Sequence, residues 1–354
     1  MPEQIQSRIP GISTSPAARG EKIAGLEGYF AGKSVLVTGG AGCIGSGLTR
    51  ALLRLDVGQV IVLDNLTSSR RWNLPLDSRL TFVEGDILDE EKLRWVFSQK
   101  PTVVFHLAAH FANQNSVEHP ETDLEVNGRG LLKILEYSRL TDVSKFVFAS
   151  SGCSVYGSEA PLPLSEDFVS IHLDTPYQIT KLLGELYCNY FHDFYRLPVV
   201  IDRYFNVYGP GEVPGQYRNV IPNFIFQALK GQPLLITGTG TETRDFTYVD
   251  DIVEGTLLSA ASEDAVGEPI NLASGTEVEV LQLANLINKL TGNESGFKYS
   301  ERRAWDRILR RRASIAKAKR ILGYEPRVKI EDGVANTVNW IKLNWDRINE
   351  AESL

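Results

Sequence analysis

Cysteine is scarce: the 354 residues hold three, Cys43, Cys153 and Cys188, an odd number with no CxxC spacing. That points to reduced thiols and a cytoplasmic protein rather than a disulfide-stapled one. Long apolar runs are missing too; none approaches 18 residues, so no membrane helix is expected. The first twenty residues, MPEQIQSRIPGISTSPAARG, have no apolar core, so no secretory signal is expected there. Basic charge is not in excess. Lys+Arg is 37 against Asp+Glu 44, a formal net charge of −7, which argues against nucleic acid as the main partner. Histidine is sparse, and His106, His110, His119, His172 and His192 show no metal-ligand spacing, so no metal is expected.

What remains is ordinary globular composition, 43% hydrophobic and 23% charged, in a chain long enough for roughly two domains. Residues 1–30 read as an extension. Continuous apolar runs then follow at Ser34–Thr38, Gln59–Leu63, Leu80–Val83, Val103–Leu107, Phe146–Ala149 and Pro198–Ile201. They do not alternate, as expected of strands covered on both faces. Helical patterns lie between them at Ser46–Arg54, Glu90–Ser98, Leu124–Ser138 and Tyr177–Tyr195, giving an α/β doubly wound parallel sheet. After Tyr204 the rhythm breaks into glycine- and proline-rich loops, with helical patterns at 277–292 and 329–345. The expected division is 31–204 with 246–268 as the parallel-sheet domain, 205–245 with 269–345 as a smaller interleaved lobe, and 346–354 as a tail.

Glycines 39, 42 and 45 stand directly between the first strand and first helix. Such a loop permits a tight turn and close backbone approach, and the helix N-terminus offers free N–H groups to a pyrophosphate. Cys43 and Ile44 sit inside it. Nineteen residues past Gly45, Asp64 closes the second strand, followed by Asn65. An acid there accepts hydrogen bonds from the adenosine ribose and repels a 2′-phosphate, so the expected cofactor is NAD. Asp86, with Ile87, either approaches the adenine or is a simple turn acid.

Tyr177 and Lys181 are four apart, one helical turn, and project to one side. A free phenol, with pKa near 10, is a poor base at neutral pH. A neighbouring ammonium and the charge of oxidised nicotinamide should lower that value, letting Tyr177 accept a proton from a sugar hydroxyl. The same helix carries Ile179, Leu182, Leu183, Leu186, Tyr187, Tyr190, Phe191 and Phe194, a stripe wide enough for packing and a subunit interface.

With these residues in view the chain resembles the extended short-chain dehydrogenase/reductases of the NAD-dependent nucleotide-sugar epimerase/dehydratase family, nearest to UDP-glucose 4-epimerase-like enzymes. The resemblance runs from about Ser34 to Pro326 through TGGAGCIG, LDN at 63–65, HLAA at 106–109, VN at 126–127, ASSGCSVYG at 149–157, YQITK, RYFNVYGPG at 203–211 and RDFTYVDD at 244–251. It implies a Rossmann fold, a homodimer pairing through Leu124–Ser138 and Tyr177–Tyr195, and a UDP-linked sugar oxidised at C4, rotated and reduced again by the same NAD. It also implies cofactor contacts at Leu107, Ala108, Ala109 and Asn127, a diphosphate neighbour at Asn206, a nucleobase-packing segment beginning Asn219-Val220, and phosphate-clamping arginines Arg244 and Arg303.

One departure stands out. The family carries Ser or Thr four residues before the Tyr of the VYG segment, and here that position is Gly152. Ser151 is expected to take the role, with Ser154 or a rearranged backbone as competitors. Dehydratases place Asp-Glu where Cys153 and Ser154 stand, which counts against a standard dehydratase. His110 either faces the sugar or is structural; Asn113, Gln114 and Asn115 either read sugar hydroxyls or cap the next helix. Of the six arginines within 301–312, one or two are expected at the diphosphate and the rest in a basic surface strip. Alternatives to the 4-epimerase are a dehydratase or other-position epimerase, and a non-catalytic NAD-binding module.

Overall fold

The apolar runs become strands because each is covered twice. In the computed structural model, which describes residues 25–351, Val35 and Val37 enter one hydrophobic cluster while Leu36 enters another on the opposite face. Val60 and Val62 divide from Ile61 and Leu63 in the same way. Seven strands form one parallel sheet: β1 (Ser34–Thr38), β2 (Gln59–Asp64), β3 (Leu80–Glu84), β4 (Val103–His106), β5 (Lys145–Ser151), β6 (Val199–Tyr204) and β7 (Pro269–Leu272). Their order is β3-β2-β1-β4-β5-β6-β7. The order reverses between β1 and β4, which opens a crevice outside the carboxyl ends of those strands.

Helices cover both faces: α1 (Cys43–Leu53), α2 (Glu90–Ser98), α3 (Leu131–Leu140), α4 (Pro176–Tyr195) and α5 (Val249–Ala261). The pattern expected as one helix over Leu124–Ser138 is a π-helical stretch, Leu124–Gly130, that runs into α3. Thr175 caps α4, its Oγ1 accepting from the Gln178 N–H at 3.3 Å, and Arg196 ends the helix in the left-handed conformation.

β7 corrects the sequence reading, which gave 269–345 wholly to the second lobe. Pro269–Leu272 is a four-residue run that follows α5 and pairs in parallel with β6. Otherwise the chain beyond β6 builds small pairings: Val207–Tyr208 with Thr247–Tyr248, Thr243–Arg244 with Val278–Glu279, and Leu234–Thr237 with Phe297–Ser300. Helices follow at Val280–Thr291 and Ile330–Leu343. Residues 1–24 and 352–354 lie outside the described residues, but the described parts of the expected extension and tail are corrected: Leu26 and Phe30 pack into the core, and Trp345–Ala351 is a helix with Ile348 buried. No described helix is long and apolar enough to cross a membrane.

Candidate functional site

A cavity of about 810 Å³ occupies the crevice at the switch point. Its floor is the glycine loop. Gly39 has φ +69°, and a Cβ there would stand 2.7 Å from the Ala108 N; a Cβ on Gly45 would collide with the Gly39 carbonyl. These two positions therefore need glycine, whereas Gly42 would meet only that carbonyl at 3.4 Å. α1 begins at Cys43 with no acidic residue in its first turn, so its unpaired N–H groups and positive dipole end are offered to an anion.

Asp64, at the end of β2, is fixed by three donors: Ala41 N–H at 2.9 Å, Leu66 N–H at 2.9 Å and Ser69 Oγ at 2.7 Å. A carboxylate offers roughly four acceptor directions, so one stays open toward the cavity it lines. Asn65 donates to Asp86 Oδ2 at 2.7 Å and Leu88 N–H to Asp86 Oδ1 at 2.8 Å, so Asp86 closes its own turn while also lining the cavity with Ile87. Leu107, Ala108 and Ala109 form the facing wall. Backbone cradle, helix terminus and anchored acid fit a dinucleotide, and an NAD would be held by Gly39, Gly45, the α1 N-terminus and Asp64. Asn127, expected at the cofactor, is not on the cavity wall. Its amide is committed to His110, accepting that N–H at 2.8 Å, and to Asp123 Oδ1 at 2.9 Å, so it shapes the wall at second hand.

Tyr177 and Lys181 enter the other end of the cavity from the first turns of α4. Lys181 Nζ donates to the Ala149 carbonyl of β5 at 2.8 Å and lies 5.6 Å from the Tyr177 ring centroid. The Phe111 ring meets Tyr177 edge-on at 5.9 Å. Burial lowers the Lys181 pKa to about 8. Burial also raises Tyr177 well above the usual phenol value, with Asp123 and Cys153 adding to it. The expected lowering by the Lys181 ammonium and oxidised nicotinamide together is thus not what the protein alone provides: its own surroundings raise the phenol, chiefly by desolvation. Behind the pair lies a network that sequence reading missed. Asp123, fully buried, accepts from Thr180 Oγ1 at 2.7 Å and from Asn127, and lies 3.8 Å from His110 Nδ1. Only the i, i+4 spacing of Asp123 and Asn127 hinted at it.

The turn after β5 explains the missing hydroxyl. A Cβ on Gly152 would penetrate the Phe205 ring, so no Ser or Thr fits there. Ser151, half-buried, lies on the cavity wall, and its carbonyl accepts the Ser154 N–H at 3.0 Å in a tight turn. Ser154 Oγ is fully buried and has no hydrogen-bond partner among the described residues. Beneath the turn Glu185 and Arg203 form a buried pair at 2.7 Å; Arg203 reaches the Tyr156 hydroxyl at 3.0 Å, which donates to Asn271 at 2.7 Å. The RYF and VYG segments therefore tie β5, β6 and β7 together.

A second cavity, about 500 Å³, adjoins the first across Cys153, Asn206 and Asn219. Val220, Arg244 and Arg303 line it, as does Arg311, which sequence reading did not single out within its cluster. Asn206 donates to the Asp245 carbonyl at 3.0 Å, and Asn219 to Glu212 Oε1 at 2.8 Å. Arg244 lies 3.4 Å from Asp306, and Arg303 stacks over Trp305 at 5.7 Å. Asn113 accepts from Thr175 at 2.7 Å, Gln114 from Trp305 Nε1 at 2.8 Å, and Asn115 donates to the Phe111 carbonyl at 2.8 Å, so these amides bind protein first. No group of three or more potential ligands able to hold a metal occurs among the described residues.

Comparison with known proteins places these features. The pattern of the NAD dependent epimerase/dehydratase family matches residues 35–273. A putative UDP-glucose 4-epimerase of Methanocaldococcus jannaschii is 36% identical over 310 residues, 88% of this chain and 99% of that protein. The solved epimerase Mth375 of Methanothermobacter thermautotrophicus is 53% identical with a TM-score of 0.93, covering 94% of this chain and 98% of its own. The enzyme WbmF of Bordetella bronchiseptica, solved with NAD+ and UDP, is 38% identical with a TM-score of 0.79, covering 91% and 95%.

Proposed function

This chain belongs to the NAD-dependent epimerase/dehydratase family, an enzyme with NAD as its cofactor, and from that premise we propose that it is a UDP-sugar 4-epimerase. The observation that carries the reading is that Tyr177, Lys181 and Ser151 line the same cavity as the glycine loop and Asp64, next to the arginine-lined second cavity. Bound there, oxidised NAD supplies the hydride acceptor and a positive charge that offsets the burial of the phenolate. Tyr177 then removes the 4-hydroxyl proton as hydride leaves C4, and returns that proton to the 4-oxygen when hydride comes back to the opposite face. Lys181, fixed on the Ala149 carbonyl, holds the ammonium beside the phenol. Ser151 donates to the 4-oxygen. Asn206, Asn219, Val220, Arg244 and Arg303 receive the nucleoside diphosphate, guanidinium forks suiting its paired oxygens.

Water elimination lacks its acid, since Cys153 and Ser154 occupy those positions. The exposed residues Ile179, Leu186, Tyr190 and Phe194 on α4 leave an apolar face suited to pairing with its copy, and the reading includes a cytoplasmic homodimer. The test is to incubate the NAD-loaded protein with UDP-hexoses and UDP-hexuronates and follow C4 configuration by NMR and product mass. Equilibration at C4 with unchanged mass is expected. Loss of water, or no exchange with any UDP-sugar, overturns the assignment.

A further inference from the structure

The proton and phosphate chemistry leaves Arg311 without a task. It is 4% exposed, and its side chain makes one hydrogen bond among the described residues, from Nη1 to the Gly152 carbonyl at 3.4 Å. The carboxylates around it are engaged elsewhere. Asp306 pairs with Arg244 at 3.4 Å and Arg302 at 3.6 Å, and Asp174 lies 3.9 Å from Arg307. Its neighbour Arg310 pairs with Glu277. Arg311 is paired with no carboxylate among the described residues, yet it lines the second cavity together with Cys153, Gln178 and Asn206. Burial lowers its pKa from the usual guanidinium value, with Cys153 and Asp306 pulling the other way. A desolvated cation without an anion is costly to keep, and its planar fork matches a carboxylate with two parallel hydrogen bonds.

Its place selects among the anions of a nucleotide sugar. Arg244 and Arg303 already serve the wall read above as the diphosphate site. Arg311 instead touches Gly152, the residue after Ser151, whose hydroxyl is assigned to the 4-oxygen. In a pyranose the exocyclic carbon on the ring position next to C4 is C6. We propose that the substrate is a UDP-linked hexuronate and that Arg311 binds its C6 carboxylate. The inference rests on the 4-epimerase reading and narrows it to a substrate class. It also has a chemical consequence. A uronate oxidised at C4 is a β-keto acid, which loses CO2 when the C5–C6 bond breaks and its electron pair passes to the C4 carbonyl. A guanidinium that stabilises the carboxylate as an anion opposes that step, so the product should retain its carboxyl group.

Calorimetry on the full-length NAD-loaded protein tests this with UDP, UDP-glucose, UDP-glucuronate and UDP-galacturonate, using wild type, Arg311→Met and Arg311→Lys. Wild type should bind a uronate at least about 30-fold more tightly than UDP-glucose, in line with the loss expected on truncating one partner of a buried charge pair. Arg311→Met should erase that gap with UDP affinity unchanged, and Arg311→Lys should keep part of it. Should Arg311→Met fail to fold, the Lys variant carries the comparison. An equal loss for UDP and uronate would make Arg311 a diphosphate contact and overturn the proposal. Equal wild-type affinity for UDP-glucose and both uronates would also overturn it, and C4 exchange of UDP-glucose in that case would leave the epimerase reading standing.

Discussion

The two ends of the cleft are built differently. At the cofactor end the determinants are near in sequence and largely backbone: a loop of seven residues, one helix terminus, and an acid whose carboxylate is held from Ala41, Leu66 and Ser69. At the substrate end they are side chains brought together from far apart. Gly152 is shaped by Phe205, Asp123 is anchored by Thr180, and Arg311 reaches back to the Gly152 carbonyl. A site made of backbone is defined by sterics and tolerates few residues, whereas a site made of side chains is defined by charge and burial and can change its ligand by single substitutions.

The sharpest way to break that contrast is Tyr177→Phe. Turnover should fall by about 10²–10⁴, the range for a lost general base, while bound NAD is retained. Loss of the cofactor as well would show that the two ends are not separable; stopped-flow rates and NAD content per subunit decide it. Next is the hydroxyl. Ser151→Ala should cost about 10²-fold in kcat, as for a donor at a developing oxyanion, and Ser154→Ala much less, because both serines line the cavity but Ser151 is the more open of the two. The reverse order would move the donor to Ser154.

The same contrast explains what the sequence disclosed. Gly39, Gly45 and Asp64 were legible because strand, turn and acid recur at fixed spacing and act locally. Tyr177 and Lys181 were legible because four residues make one turn of α4. β7 escaped because Pro269–Leu272 is a four-residue strand whose membership of the sheet depends on pairing with β6, 68 positions upstream at Ile201. The raised phenol of Tyr177 and the isolation of Arg311 escaped because burial depends on the whole fold. Gly152 was visible as an anomaly, but its cause, the Phe205 ring, was not.

Two smaller effects sharpen the comparison further. Gly45→Val and Gly152→Ala each force an atom into occupied space and should each cost about 1–3 kcal/mol in denaturant unfolding. Only the first should release NAD, and release by both would contradict the division. The smallest effect concerns Glu212, which lines the first cavity and whose burial raises its pKa to about 7 from the ordinary 4.5. Between those values the folded chain binds more protons than the unfolded one, so stability falls as pH rises through this window. Glu212→Gln should flatten the Tm profile between about pH 5 and 7 by a few degrees, at about 2–4 °C per kcal/mol. An unchanged profile would place the titration elsewhere.

The ring of Phe205 against Gly152 has a consequence for any route back to a serine at that position. A single exchange at 152 meets an aromatic wall, so the hydroxyl returns in one mutational step only at a cost in stability. To avoid that cost the ring must be trimmed first, for instance by Phe205→Leu, and until the second exchange follows the protein carries a void under its catalytic turn. Directed evolution on this scaffold should therefore find the two changes in that order or together, and otherwise leave the proposed hydrogen bond to the sugar with Ser151.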